Sequence, residues 1–368
     1  MDCLGKSLTF VLIVLFLTSL ISLPLVNSQS QIQQIIIASD GSIIGTDSIR
    51  QNGNVFTLTK NLLIPITIEK DNIVLDGQGF TLQGSGINPI GQRAQAAAIN
   101  LTCTNVTVTN FHISGWQAGI LGVFDNNVIA GNNFTNNAFD VAIYANNYRV
   151  TGNYIGSGRI VGNNNVISQN IITLGDYASG FWISSSSGTI IEANDVTMTK
   201  ETTTFISTDN GNFEVYHNNF LNVEVNTGGA FLLIITYPPN IVFPPWDNGY
   251  PSGGNYWSDY SIRYPNSTEI DSSGIGNTPY VSSTAGPDVT DNYPLMAPYN
   301  FSKPIILSQP NQSPSPSLSP SPSIPEFSVL AILTMFLSVL FVAVIIRHRK
   351  TANSALAEKH KPKFRRKA

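Results

Sequence analysis

One six-residue phrase recurs along the middle of the chain and limits what the chain can fold into. It places an asparagine three residues after one apolar residue and two residues before another. It occurs as IAGNNF (129–134), VTGNYI (150–155), ISQNII (167–172), IEANDV (191–196) and VYHNNF (215–220). The asparagines are therefore 21, 17, 24 and 24 residues apart. A period of about 20–25 residues without helical spacing is typical of a solenoid, in which each repeat forms one coil.

The residues around each asparagine alternate between apolar and polar, in runs rich in Val, Ile, Phe and Thr that are separated by Gly, Asn, Ser and Asp. This pattern predicts short strands joined by turns. A parallel β-helix explains it, because each strand pairs with its equivalent in the next coil at about 4.8 Å. We predict an all-β parallel β-helix, with a β-sandwich or propeller as the alternative. Outside 8–26 and 328–346 no run of 12 residues keeps a helical apolar period, which excludes an all-α fold.

The recurring asparagine is predicted to have a structural role. Asparagine tolerates left-handed backbone conformations and bonds its amide to the chain, and stacked amides bond one another along a β-assembly. We therefore predict a ladder at a corner between two sheets, formed by Asn132, Asn153, Asn170, Asn194 and Asn218. Phe111 holds the equivalent place in 105–121, and 66–87 has the pattern of a first coil. About seven coils between residues 60 and 230 would form a rod of about 35 Å.

The two ends of the chain predict a position at the cell surface. Residues 1–28 contain Lys6 and then an apolar run, which predicts a secretory signal peptide, with an uncleaved anchor as the alternative. Residues 327–346 are apolar and long enough to cross a bilayer as a helix. The basic tail 347–368 follows directly and is expected on the cytoplasmic side. The chain is thus predicted to be a single-pass type I membrane protein with its larger part outside the cell.

The part between the signal peptide and the span is acidic. Residues 29–326 hold 9 basic and 21 acidic residues, and the net charge of −12 disfavours nucleic acid as a partner. Cys103 is the one cysteine in this part, so no intramolecular disulfide can form there. We assign 29–59 to an N-terminal cap or leader, 60–239 to the β-helix and 240–302 to an aromatic-rich C-terminal cap. Residues 303–326, rich in Ser and Pro, are predicted to form an extended stalk.

Several stretches resemble the NosD-type β-helix proteins. They are ITIEKDNIVLDGQGFTL (66–82), the asparagine coils, WDNGYPSGGNYWSDY (246–260), GIGNTPYV (274–281) and DNYPLMAP (291–298). The resemblance covers roughly residues 60–300 and implies a right-handed parallel β-helix, grouped with carbohydrate-binding and sugar-hydrolase repeats. The founding members are implicated in copper or sulfur delivery to nitrous-oxide reductase, so a copper-related accessory role is one implied alternative. The Ser/Pro stalk and terminal span resemble those of archaeal surface proteins.

The residue types that bind copper are scattered along this chain. Copper needs a convergent cluster of His, Cys or Met side chains. Outside the membrane the chain offers His112, His217, Cys103, Met198 and Met296. The two histidines are separated by about five coils, or roughly 20–25 Å. We predict no bound metal and no other cofactor; we do not expect copper, and Ca²⁺ remains an alternative through clustered acids.

Two classes of function remain, an enzyme and a binding protein. Glycoside hydrolysis uses two carboxyl groups about 5–9.5 Å apart, and β-helix lyases combine acids with an arginine. Stacked coils could bring together Asp125, Asp140 and Asp176 with Arg149 or Arg159, but no paired-Asp or glycosidase motif occurs. Exposed aromatic rings can stack on sugar faces, and the candidates are Trp116, Trp182 and Trp257. We predict polysaccharide or envelope-glycan binding, adhesion or envelope structure, with a polysaccharide lyase or glycoside hydrolase as the alternative.

Two modification signals complete the sequence interpretation. N-glycosylation triplets begin at Asn100, Asn105, Asn133, Asn266, Asn300 and Asn311. Pro325, Glu326 and Phe327, followed by an apolar helix and a basic cluster, resemble the PEF-type C-terminal sorting signal read by archaeosortases. The 22 residues after the span depart from a minimal signal. We therefore expect a retained anchor, with cleavage near Glu326 as the alternative.

Overall fold

The computed structural model describes most of the predicted extracellular part of the chain. The described residues are 34–86, 97–174, 180–184, 186–198, 202–209, 212–222, 231–236, 244–282 and 289–302. The predicted signal peptide, stalk, span and tail lie outside them, and so do Asp176, Asn311 and the motif at 325–327. Among the described residues, no helix has the length and apolar character needed to cross a membrane.

The described residues form short strands and one turn of helix. The first strands are β1 (Ile35–Ile37), β2 (Ile43–Ile44), β3 (Ile49–Asn52) and β4 (Val55–Leu58). Three coils follow, formed by β5 (Ile66–Ile68), β6 (Val74–Asp76), β7 (Thr81–Gln83), β8 (Ala97–Leu101), β9 (Thr107–Thr109), β10 (His112–Ser114), β11 (Ala118–Gly122), β12 (Val128–Ala130) and β13 (Asn133–Thr135). Four more coils are formed by β14 (Phe139–Ile143), β15 (Arg149–Thr151), β16 (Tyr154–Ile155), β17 (Ser157–Val161), β18 (Val166–Ser168), β19 (Ile171–Leu174), β20 (Gly180–Ser184), β21 (Thr189–Glu192), β22 (Asp195–Met198), β23 (Thr202–Thr208), β24 (Phe213–Tyr216) and β25 (Asn219–Leu221). The last elements are β26 (Phe231–Thr236), β27 (Tyr256–Trp257), α1 (Tyr260–Arg263), β28 (Tyr280–Ser282) and β29 (Val289–Asp291).

The strands of one coil belong to three different sheets, and equivalent strands of successive coils pair in parallel. Sheet A has the parallel order β1-β5-β8-β11-β14-β17-β20-β23-β26, sheet B the order β4-β6-β9-β12-β15-β18-β21-β24 and sheet C the order β7-β10-β13-β16-β19-β22-β25-β27. Seven complete coils, from β5–β7 to β23–β25, lie between residues 66 and 221. The protein is therefore an all-β parallel β-helix, and the predicted number of coils agrees with the structure.

The core is a set of apolar columns that run from coil to coil. One column of sheet A pairs Ile66, Ile99, Ile120, Val141, Gly158, Phe181 and Ile206 in register. Its side chains are fully buried, and each isoleucine or phenylalanine contributes roughly 1.5–3 kcal/mol of transfer free energy. Gly158 interrupts the column because a Cβ at this position would lie 2.7 Å from the Phe181 ring. The glycine therefore makes room for the larger neighbour.

The corner between sheets B and C corrects one detail of the sequence interpretation. The left-handed backbone lies one residue before each ladder asparagine, not at the asparagine itself. Gly131, Gly152, Gln169, Ala193 and His217 have φ angles between 53° and 66°. The preceding residue thus makes the turn, and the asparagine that follows points into the core. Its amide can then bond backbone groups that lose their strand partners at the corner.

The parallel stacking begins earlier than the predicted boundary at residue 60. Strand β1 pairs in parallel with β5, and β4 pairs in parallel with β6, so the segment 29–59 contributes an incomplete first coil. Strands β2 and β3 pair antiparallel with β1 and β4, next to the first coil. An open β-helix would present unpaired strand edges at this end. The two antiparallel strands cover them.

Aromatic rings close the other end of the coils. Trp257 pairs in register with Phe220, and their rings stack at 4.3 Å. Tyr280 stacks on the opposite side of Trp257 at 4.2 Å. Trp246 lies 6.1 Å from Phe220 and is fully buried, like the other two cap rings. The segment 244–302 therefore covers the apolar interior that the last coil would otherwise expose to water.

Candidate functional site

The five asparagines of the repeated phrase form a continuous ladder inside the protein. Each backbone N–H and each Nδ2 donates to Oδ1 of the next asparagine, from Asn132 through Asn153, Asn170 and Asn194 to Asn218, at 2.8–3.1 Å. Asn255, in the cap, accepts from Asn218 in the same way and forms a sixth rung. All six are fully buried. The ladder joins the coils and offers no group to a ligand in solution.

Two further corners contain buried asparagines that the sequence interpretation missed. Asn127 accepts from Val106 N at 2.8 Å and donates to Cys103 O, and Asn165 accepts from Tyr148 N at 2.9 Å. Asn137 accepts from Trp116 N at 3.0 Å at the corner between sheets C and A. The repeated pairs NN at 126–127, 136–137 and 164–165 were the available signal. These asparagines are structural for the same reason as the ladder.

The two candidate acids that the structure describes, Asp125 and Asp140, do not form a catalytic pair. Asp140 is buried at the start of β14 and accepts from Gly156 N at 2.7 Å, Ser157 N at 3.1 Å and Asn137 Nδ2 at 3.1 Å. Burial raises the pKa of Asp140, while these three donors favour its carboxylate. Asp125 follows the far end of β11 and accepts from Asn146 N at 2.9 Å. The two acids therefore lie at opposite ends of the strands of sheet A.

The candidate arginines are on different faces of the β-helix. Arg149 is exposed at the start of β15 in sheet B, and Arg159 lies in the middle of β17 in sheet A. Among the described residues neither arginine forms an ion pair with an acid. Within the described part of the chain, Asp125 and Asp140 therefore do not meet Arg149 and Arg159 in one site.

Of the three candidate tryptophans, only Trp182 is exposed. Trp116 is buried and donates its indole N–H to Leu82 O at 3.0 Å. Trp257 is buried in the cap and donates to Asp291 Oδ2 at 2.9 Å. Neither ring can reach a ligand, because both fill the core. Trp182 is 40% exposed, and it faces outward because its neighbours in β20, Phe181 and Ile183, point inward.

Trp182 belongs to a cluster on the outer face of sheet A that we call the Arg159 patch, formed by Tyr144, Arg159 and Trp182. Arg159 pairs in register with Trp182 on one side, and Tyr144 follows β14 on the other. The guanidinium carbon lies 5.6 Å from each ring centroid. The Tyr144 ring is 44% exposed. The patch therefore presents one cation between two rings on a rigid parallel sheet.

A cleft lies on sheet C, at the corner where the chain passes from sheet C to sheet A. It has a volume of about 340 Å³, and its lining includes Asn133, Asn137, Asp140, Tyr154 and Thr173. The cleft lies where the chain passes from β16 to β17 through Gly156 alone, a shorter corner than the one between β13 and β14. The described lining residues are mainly polar and neutral, and Asp140 is the one acid among them.

The copper donors of the sequence are separated in the structure. His112 lies in β10 with Nδ1 3.3 Å from Asn133 Nδ2, and His217 stacks on Tyr299 after β24. Cys103 is buried, its Sγ lies 3.2 Å from both Ile68 O and Lys70 O, to either of which the single S–H can donate, and burial raises its pKa to about 12. Copper binds thiolate, so this thiol is a poor ligand. Among the described residues no group of three or more His, Cys, Asp or Glu side chains could hold a metal ion.

The predicted glycosylation asparagines differ in exposure. Asn105, Asn266 and Asn300 are exposed, whereas Asn100 and Asn133 are half-buried on the outer faces of sheets A and C. Asn133 also lines the cleft on sheet C. The first three are therefore the more accessible acceptors among the described residues.

Comparison with known proteins identifies the family. A family model described as "Periplasmic copper-binding protein (NosD)" matches residues 64–262. The match includes all seven complete coils and the first stretch of the cap, 246–260, whereas 274–281 and 291–298 lie beyond it. No curated protein and no solved structure matches the chain. Because the family model covers more than half of the chain, and because the structure is a stack of parallel β-coils, this protein belongs to the NosD family.

Proposed function

We propose that this protein is a β-helix displayed outside the cell, anchored by one membrane span, that binds polysaccharide in adhesion or in the structure of the cell envelope. The observation that carries the proposal is the Arg159 patch, where Tyr144 and Trp182 expose their rings on either side of a cation. The predicted signal peptide, stalk and span support the position outside the cell.

The patch suits a sugar because it combines flat apolar surface with a polar group. Aromatic faces offer large contact areas at little conformational cost. The backbone under the patch is part of a sheet whose strands pair on both sides of β17, so the rings are held by a rigid support. Val123, which follows β11 as Tyr144 follows β14, is also exposed and extends the apolar surface by one coil.

Glycan binding by the full-length protein tests this proposal. We expect the double variant Tyr144→Ala/Trp182→Ala to lose at least about tenfold in affinity, because a loss of 1.4 kcal/mol corresponds to a factor of ten. Tyr250→Ala is the matched control, since Tyr250 is an exposed tyrosine of the cap and belongs to neither the Arg159 patch nor the cleft. The proposal is wrong if no glycan binds, or if the double variant binds as tightly as the wild type.

A second candidate function is a polysaccharide lyase or glycoside hydrolase. The cleft on sheet C favours it, because the cleft contains a buried carboxyl, Asp140, whose pKa is raised. An assay for new reducing ends or unsaturated products, run on the glycans that bind, separates the two functions. Turnover that is abolished in Asp140→Asn, with an unchanged melting temperature, would establish the enzyme and place its site on sheet C.

A further inference from the structure

Among the described residues, the guanidinium of Arg159 has two aromatic rings beside it and no acidic or hydrogen-bonding partner. It forms no ion pair and no hydrogen bond with the described residues, and its Nε is enclosed without an acceptor. Arg263 provides the contrast: it pairs with Asp259 at 3.2 Å, donates to Val281 O at 2.7 Å and packs over Tyr280 at 4.8 Å. Arg263 has a structural role in the cap. Arg159 contributes no such bonds to the fold.

The rings of Tyr144 and Trp182 hold the Arg159 guanidinium in place. Arg159 lies on the middle strand of three, β14, β17 and β20, and contacts the Tyr144 ring just after β14 and the Trp182 ring in β20. The electron-rich faces of tyrosine and tryptophan attract a guanidinium without neutralising its charge. The terminal nitrogens therefore stay positioned and available for an anion, since an arginine fork that is already oriented loses less entropy on binding.

The kind of anion that Arg159 can bind follows from the planar guanidinium group. A guanidinium binds carboxylate or sulfate oxygens through two parallel N–H donors. The rings on either side fit the faces of sugar units joined to that anion. A nucleic acid is disfavoured, because it requires a basic surface and residues 29–326 carry a net charge of −12. This net charge does not prevent a local contact, since exposed charges beyond about 8 Å are screened at physiological ionic strength.

We propose that the Arg159 patch is an anion-selective saccharide site that takes a glycan with carboxylate or sulfate groups, with Arg159 as the residue that binds the anion. This inference rests on the proposed function, because it names the substrate class of the same site. It assigns different roles within the patch: the rings bind sugar of either kind, and Arg159 selects the charged kind.

Two matched pairs of polymers test the selectivity with the full-length protein. Dextran and dextran sulfate differ in sulfate, and methyl-esterified and free polyuronate differ in carboxylate. We expect the charged member of at least one pair to bind at least about tenfold more tightly, and the pair that shows it identifies the anion. Arg159→Gln should reduce this preference to within about twofold while binding of the neutral member persists. Arg159→Lys, which keeps the charge without the fork, should retain part of it.

Arg149→Gln is the control, because it removes one exposed cation from sheet B and should leave the preference unchanged. If the wild type binds the charged and neutral polymers equally and Tyr144→Ala/Trp182→Ala loses this binding, the proposed selectivity is wrong. The proposed function would remain in place. If Arg149→Gln removes the preference for the charged polymer as fully as Arg159→Gln does, general surface charge causes the preference, and the role assigned to Arg159 is wrong. If no polymer binds and the patch instead joins two copies of the chain or another protein, both proposals fail.

Discussion

Asn170→Ala tests whether the buried ladder stabilises the coils. The Oδ1 atom of Asn170 accepts from Asn153 N at 2.9 Å, and its Nδ2 donates to Val150 O at 2.9 Å and to Asn194 Oδ1 at 3.0 Å. Alanine would leave the N–H of Asn153 buried without an acceptor, which costs about 1–3 kcal/mol. The loss of the Nδ2 bonds adds about 1 kcal/mol. We expect a destabilisation of about 2–4 kcal/mol.

Thermal unfolding of the full-length protein measures the effect. For a domain of this size each kcal/mol lowers the melting temperature by about 2–4 °C, so we expect a decrease of about 4–16 °C. Asn163→Ala is the matched control: Asn163 is exposed and accepts from Ser187 N at 3.0 Å, a bond that water can replace. Its melting temperature should fall by less than about 3 °C. If Asn170→Ala and Asn163→Ala melt at the same temperature, the reasoning about the buried ladder is refuted.

Three further predictions address the cap, the core and the anchor. Burial raises the pKa of Asp291 to about 7 from the usual 3.8, so the folded protein holds this proton more tightly than the unfolded chain. The stability this provides is complete below pH 3.8 and is lost as the pH rises through about 7. Urea unfolding should show a loss on the order of 1 kcal/mol between pH 6 and 8, which Asp291→Asn should remove. An identical pH dependence in the variant would show that other groups cause it. Gly158→Ala places a Cβ 2.7 Å from the Phe181 ring and should destabilise the protein by about 1–3 kcal/mol in chemical unfolding, and adding Phe181→Leu should recover part of that loss. A wild-type unfolding midpoint for Gly158→Ala would count against a tightly packed column. Mass spectrometry of the mature protein from native membranes should recover TANSALAEK (351–359) from the same molecule as the coils, whereas a terminus near Glu326 would establish processing.

The order of the coils was readable from the sequence because a β-helix repeats one environment at every coil. From Asn132 to Asn218 this corner position takes a buried amide, so the same residue type returns in these repeats. The seven-coil estimate rested on the repetition, and the number of coils in the structure agrees with it. The family resemblance rested on the coils together with the stretches between 246 and 298, and the family match confirms it. The left-handed residue before each asparagine was harder to identify, because Gly131, Gln169 and His217 satisfy the same turn with different side chains.

The exposure of the aromatic residues was not readable in the same way. Trp116, Trp182 and Trp257 all occur in strand-like sequence, yet Trp116 fills a corner and Trp257 fills the cap, and only Trp182 faces solvent. Alternation indicates which residues of one strand share a face. Alternation does not indicate which of the two faces is buried under another part of the protein, because the segment that buries it is distant in sequence.

What the sequence by itself determined is the architecture: strand type, coil period, the asparagine ladder and the family follow from a pattern that each coil repeats locally. What only the tertiary structure decided is the Arg159 patch. Tyr144, Arg159 and Trp182 are separated by 15 and 23 residues, and the spacing of the ladder varies between 17 and 24. The coils differ in length, and the additional residues of the longer coils lie at the corners. Which residues of neighbouring strands stand side by side therefore depends on which corner contains them. The proximity of the Tyr144 and Trp182 rings to the Arg159 guanidinium therefore depends on how the coils stack, and no single repeat of the sequence encodes it.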